Sequence, residues 1–409
     1  MDVELQINNS TSPDAQFVTW APSPCRIRVT NPAGSTGPTA SVKLSSTSAA
    51  SAGAVRFRSG TSGAFAATLT LAVPTTGTSV PFFTAGTFGQ PSTNNGDVRI
   101  EARVGSTLVG SAKVMVRIRK NANNLTPGER DRFVAALAKL NDQGLGRFSD
   151  FRNMHVSVSL PQAHRAPGFL SWHRAYLLDL ERELQAIDQS VALPYWRFDQ
   201  PAPNIFKRDF LGESNAIGRV QFTNSNPLQF WRTDGALGIS RTPDFPTSQA
   251  PPGLSNEAQT LALGNQFRAF RGMEGDPHGL AHTSFGGFIQ DPATAPKDPL
   301  FFLLHCYVDR LWAKWQRQNG RFDPAVAASF DERPTSRPGH KLNDTMWPWN
   351  GITSATDNTR PPTAPGGAMA ASPCVSAPSL QPRVRDCIDY HGVINAASNM
   401  GFDYDDVQV

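Results

Sequence analysis

The chain has 409 residues, 39% hydrophobic and 18% charged, with a formal net charge of +4, eight histidines and four cysteines. That length predicts two domains with enough apolar material to bury. Its basic residues are scattered rather than gathered in a run, which argues against a nucleic-acid tract, and no stretch of about 18 apolar residues argues for a membrane-spanning helix.

Met1 is followed by DVELQINNS, which lacks a basic start, an apolar core and a twin arginine. As written, the chain therefore reads as soluble and cytoplasmic, with export left to a carrying partner. Up to about residue 120 the composition is rich in Ser, Thr, Ala and Gly, with short alternating runs at 26–30, 41–45, 54–58 and 67–73. Such alternation predicts strands with one buried face. Val98 to Val104, then Gly105-Ser106, then a run through Val114, Val116 and Ile118 predicts a hairpin. Residues 1–120 are expected to form an all-β sandwich of immunoglobulin-like type. Trp20, Phe82, Phe83 and Phe88 are its candidates for an exposed aromatic face that would bind a partner or a glycan.

A mainly helical domain with long loops is expected over 121–409. Thr126-Pro127-Gly128-Glu129 carries the signature of a capped helix start, with Phe133, Leu137 and Leu140 as its apolar stripe. Further helices are predicted at 172–187, 256–270, 278–284 and 299–318. The Pro-, Ala- and Ser-rich segment 353–382 reads as an irregular surface stretch bordering an active site. Cys374 and Cys387 are spaced to bridge a short loop.

Six histidines fall into two groups, His155/His164/His173 and His278/His282/His305; only His340 and His391 lie outside them. The first three are nine residues apart, about two and a half helical turns, so they cannot share one helix face. Pro161, Pro167 and Gly168 break the segment, leaving His155 near a helix end, His164 on a loop and His173 inside the next helix. His278 and His282 are four apart and share a face, and His305 arrives from the following helix. Three neutral imidazoles per metal leave a coordination position for dioxygen, which points to two copper ions. Each H-x-x-x-H pair or aromatic neighbour has an equally good reading as ordinary core; the whole arrangement does not.

AHRAPGFLSWHRAYLLDLERELQ resembles the first copper motif of the tyrosinase, catechol oxidase and haemocyanin group, and DPLFFLLHCYVDRLWAKWQ resembles the second. LPYWRFD at 193–199, EGDPHGLAH at 274–282, Gly286-Gly287 and the closing MGFDYDD are similar as well, so the resemblance spans about residues 117–406. It implies a four-helix-bundle core in which each histidine group holds one copper of a dinuclear site that binds dioxygen. The implied activity is oxidation of o-diphenols to o-quinones with reduction of O2 to water, monophenol hydroxylation being open. An o-aminophenol oxidase of a biosynthetic pathway and a haemocyanin-like oxygen carrier share the motif. A small phenol and O2 are the implied partners, and a copper-delivery partner is compatible.

The chain departs from the pattern in places. Leu304 stands where the family commonly has a second histidine before His305, and no cysteine lies between Cys25 and His164 to form a thioether with that histidine. This is closer to bacterial members; the family's C-terminal shielding domain is missing and the N-terminal β-domain is extra. Glu274, four residues before His278, matches an acidic residue that holds a water in the family and is the candidate catalytic base, with a helix-start carboxylate as the plainer reading. Gly279 replaces a common asparagine and argues for weaker hydroxylation, and Thr283 stands near the expected substrate entrance. Spacing alone nominates Asp309, Arg310 and Glu181 to orient the imidazoles, with an interhelical ion pair as the alternative. Trp172 and Phe169 are expected to pack around the site.

Overall fold

The computed structural model describes residues 1–50, 52–141, 146–332, 338–351 and 367–409. Of the Pro-rich segment expected at 353–382, residues 353–366 fall outside the described residues. The chain divides into two compact units. The first takes Met1–Ile118 together with Ser372–Ala377 and Asn395–Val409, the second Arg119–Ala371 and Pro378–Ile394.

In the first unit the strands are β1 (Asp2–Ile7), β2 (Phe17–Val18), β3 (Ser23–Asn31), β4 (Thr39–Ser48), β5 (Val55–Arg58), β6 (Leu69–Pro74), β7 (Val80–Gly86), β8 (Val98–Val104) and β9 (Thr107–Val116). They form one sheet in the order β1-β3-β7-β5 and another in the order β2-β9-β8-β4-β6. Alternation decides which side chains go inside: in β3, Cys25, Ile27 and Val29 are buried while Arg26, Arg28 and Thr30 face out. Both sheets feed one hydrophobic cluster that includes Leu5, Ile27, Phe57, Val42, Val73, Ile100 and Val114. The hairpin expected around Gly105 forms between β8 and β9, while β1, β2 and β7 were not foreseen.

The aromatic candidates of this unit mostly face inward. Trp20 and Phe82 are core residues and Phe88 alone is exposed, its ring edge-on to Trp20 at 5.6 Å. The closing MGFDYDD, expected to end the helical domain, belongs to this unit. Asp403 accepts from the Trp20 backbone N–H at 2.9 Å, and the Trp20 indole N–H donates to the Tyr404 carbonyl at 2.9 Å. Cys374 lies in the first unit and Cys387 in the second, and neither forms the disulfide that their spacing suggested.

The second unit contains α1 (Pro127–Leu140), α2 (Phe148–Met154), α3 (Leu160–Ala163), α4 (Gly168–Ile187), α5 (Glu257–Leu261), α6 (Phe267–Phe270), α7 (Leu280–Thr283) and α8 (Leu300–Asn319). The capping box at Thr126 and Glu129 is present in full. The helix expected over 256–270 is broken into α5 and α6, because Gly264 between them sits at φ +124, a value that ends a right-handed helix. Helices α4 and α8, each about 30 Å long, are buried on nearly every side. Their polar residues are consequently paired rather than solvated. Arg174 donates to Asp309 at 2.6 Å and lies 3.7 Å over the Trp312 ring, while Arg119 reaches both Glu181 at 2.7 Å and Asp309 at 3.3 Å.

Candidate metal centre

Each histidine is delivered by a helix end or a helix face. His155 is the C-terminal cap of α2 and His164 that of α3, a short helix that sequence spacing left as loop. His173 lies within α4, His282 within α7 and His305 within α8. His278 sits on the turn Gly275–Gly279 that leads into α7. His155, His164 and His173 bring one ring nitrogen each to within 4.8 Å of one another, and so do His278, His282 and His305. The two groups adjoin: the rings of His173 and His305 stack at 4.1 Å, 8° from parallel.

The other ring nitrogens decide the tautomers. The Nδ1 of His155 lies 2.7 Å from the Pro292 carbonyl, that of His173 2.9 Å from Phe169 O, that of His278 2.7 Å from Glu274 O and that of His282 2.7 Å from Ile289 O. A carbonyl only accepts, so each of these nitrogens carries the proton. The Nδ1 of His164 likewise faces a carboxylate oxygen of Glu274 at 3.2 Å. Burial, foremost, and the neighbouring imidazoles hold His155, His173, His278 and His305 well below the usual histidine range, and burial brings His282 down to about 4. Neutral rings protonated on Nδ1 leave a bare lone pair on Nε2. The Nε2 atoms of His155 and His164 nevertheless lie 2.9 Å apart, and that of His173 is buried without a partner. At that distance the two nitrogens need a proton or a metal cation between them. The residues therefore fit a pair of metal ions, each with three imidazole ligands, a donor set that suits copper.

Sequence reasoning nominated Asp309, Arg310 and Glu181 behind the imidazoles, with ion pairing as the alternative, and the structure shows ion pairs. Glu181 and Asp309 are taken up by Arg119 and Arg174, and Arg310 donates to Glu257 at 2.7 Å. Their place is filled by backbone carbonyls. Two of these, Ile289 and Pro292, come from one stretch: a strand Phe285–Gly287 pairs with Arg241–Pro243 and turns at Gly287, where φ is +86 and a Cβ would lie 2.4 Å from Ser240 O. The Gly286-Gly287 dipeptide was the only sequence signal for it. Buried Arg241 clamps Asp298 at 2.7 and 2.6 Å, and Asp298 also accepts from the Leu300 N–H, so this strand is tied to the start of α8.

Among the expected aromatics, the Phe169 ring lies 4.8 Å from that of His173 and 4.9 Å from that of His278, and the Trp172 ring lies 5.1 Å from His173. Phe301, not foreseen, lies 4.2 Å from His305. Leu304 is fully buried, and the Nδ1 of His305 has no partner. His340 serves α4 instead of a metal, its Nδ1 accepting from the Gly168 N–H at 3.3 Å.

Above the histidines opens a cavity of about 860 Å³ lined by His155, His164, His278 and His282, by Glu274, Gly279 and Thr283, and by Arg165, Arg268 and Arg271. Glu274 addresses both groups, its carboxylate reaching His164 and its carbonyl reaching His278. Thr283 is exposed and spends its hydroxyl on the Gly279 carbonyl at 3.1 Å.

Residues 145–318 match the family described as the common central domain of tyrosinase. The chain is 33% identical over 278 residues to a tyrosinase of Streptomyces antibioticus, covering 59% of this chain and 97% of that protein. It is 28% identical over 309 residues to a grixazone synthase of Streptomyces griseus, covering 60% and 98%. Among solved structures, the deoxygenated hemocyanin of Rapana thomasiana matches with a TM-score of 0.47 and 23% identity, over 71% of this chain and 70% of that one.

Proposed function

The chain belongs to the tyrosinase family, and from that premise we propose that it is a dicopper oxidoreductase that converts o-diphenols to o-quinones while reducing O2 to water. The observation that carries the reading is the convergence of unprotonated imidazole nitrogens in two adjoining groups of three. His155, His164 and His173 would hold one ion and His278, His282 and His305 the other. Bound copper supplies two-electron redox chemistry and the open coordination positions for O2.

The chain's own residues do the rest. Carbonyls of Phe169, Glu274, Ile289 and Pro292 fix four imidazoles in orientation and tautomer. The cavity admits a phenol to the side of the site where His164 and His278 are reached. Glu274 uses Oε1 for His164 and for the Arg165 backbone N–H at 2.6 Å, which leaves Oε2 of this cavity-lining residue to take a phenolic proton. Gly279 beside His278 offers no side chain to assist that transfer, so hydroxylation of monophenols is the weaker activity. Similarity to a protein named for the product it synthesises favours a second reading, in which the substrate is an o-aminophenol of a biosynthetic sequence. We read the first unit as an immunoglobulin-like sandwich and the second as a helical bundle around the histidines, supported by the core shared between the two sheets and by the burial of α4 and α8.

Oxygen uptake by the copper-loaded protein tests the reading. Uptake with 4-methylcatechol, and slower uptake with tyramine, is expected. Copper-loaded protein that consumes no oxygen with either would shift the function to oxygen carriage or to a narrow biosynthetic substrate.

A further inference from the structure

Many arginines of the second unit hold a carboxylate. Arg119, Arg174, Arg241 and Arg310, all buried, each do so, and even exposed Arg208 meets Glu213 at 2.9 Å. Three that do not, Arg165, Arg268 and Arg271, line one and the same cavity. The guanidinium groups of Arg165, Arg268 and Arg271 have no acidic partner among the described residues, and the buried Nε of Arg271 has no acceptor at all. Glu274 is the one acid in the lining and is already engaged by His164 and by the Arg165 N–H. Three guanidinium groups against one carboxylate leave the lining at a net +2 before any metal is bound.

The placement is built into the backbone. Arg268 and Arg271 are three residues apart, on α6 and the turn that follows, so they share one face. Arg165 is held at φ 58, a conformation disfavoured for a residue with a side chain, and its backbone N–H is pinned to Glu274. Arg165 and Arg268 are exposed and Arg271 is half-buried with its Nε desolvated, a cost that an incoming anion relieves, and the planar fork of a guanidinium matches carboxylate oxygens.

We propose that Arg165, Arg268 and Arg271 form an anion-recognition rim, and that the physiological substrate is a phenol carrying an anionic side group such as a carboxylate. The ring hydroxyls face the histidines and the anionic group faces the arginines. This rests on the reading of the cavity as a phenol site, but it makes a prediction that needs neither copper nor turnover. Calorimetry on the copper-free protein compares 3-(4-hydroxyphenyl)propionate with its neutral primary amide. The acid is expected to bind at least about tenfold more tightly. The preference should shrink to under about threefold in an Arg268→Gln/Arg271→Gln double variant and with rising salt. Equal affinities for acid and amide, an unchanged preference in the double variant, or no binding of the acid at millimolar concentration would each overturn the proposal. Failure of the copper-loaded protein to turn over catechols would remove the oxidase reading alone and leave the affinity difference standing.

Discussion

Glu274→Ala separates the two metal positions. The carboxylate accepts from the Nδ1 of His164 at 3.2 Å, with both side chains largely buried at 13% and 15% exposure, while the carbonyl of the same residue accepts from His278. Alanine removes the first contact and keeps the second. A hydrogen bond to a charged group contributes about 1.5–3 kcal/mol, which corresponds to about 10- to 150-fold in affinity. Partners behind a metal ligand typically matter by about 10- to 100-fold, so the two estimates agree. Copper affinity at the position of His155, His164 and His173 should fall by that factor, and affinity at the position of His278, His282 and His305 should stay within a few-fold. Glu274→Gln retains an acceptor oxygen and should recover most of the loss. Competition against a chromophoric copper(I) chelator, titrated through both equivalents, resolves the two steps. Unchanged binding in Glu274→Ala, or equal loss at both positions, would refute the assignment of the carboxylate to His164. A glutamine variant as weak as alanine would show that the negative charge rather than the acceptor carries the effect.

The copper-free protein should be acid-labile. His282 has a folded pKa of about 4 against about 6.5 unfolded, so the unfolded chain takes up the proton first and stability is lost as pH falls from 6.5 to 4, by about 3 kcal/mol for this residue alone. His155, His173, His278 and His305 act in the same direction. Asp179, raised by burial to about 6, and Asp150, also raised by burial, run the other way but are two groups against five, so a melting temperature at pH 5 no lower than at pH 7.5 would contradict the buried neutral imidazoles. Arg174→Met strips the closest partner from buried Asp309 and should cost about 3–5 kcal/mol, read as a shift in denaturant midpoint. Gly279 has helical φ −60 and ψ −38, and a Cβ there meets only Glu274 O at 3.3 Å, so Gly279→Asn should fold. The tyramine rate relative to 4-methylcatechol should rise in that variant, and an unchanged ratio would detach Gly279 from hydroxylation.

The two histidine groups were legible because metal ligation demands particular residue types, and because the breaks at Pro161, Pro167 and Gly168 permit His155, His164 and His173 to converge. The long helices were legible for a similar reason, since the apolar content of α4 and α8 marks burial. The supports behind the imidazoles were not. A backbone carbonyl carries no side-chain signature, so Phe169, Ile289 and Pro292 as acceptors emerge only once the chain is folded. Spacing along a helix suggested Asp309 and Glu181 instead, but it could not reveal that Arg119 and Arg174 would claim them. Strand β1 carries the alternation of a buried strand in Val3, Leu5 and Ile7, yet its sequence was considered only as a possible leader. The return of 395–409 to the first unit depends on Trp20 meeting Asp403 and Tyr404, a long-range pairing invisible to local pattern.

Copper content after reconstitution and exhaustive dialysis, measured by mass spectrometry of the metal against protein from amino-acid analysis, addresses the central claim most directly. Two histidine groups that each hold one ion predict two coppers per chain, falling when either His173 or His305 is replaced by alanine. A plateau at one copper per chain, or none, would contradict the dinuclear site.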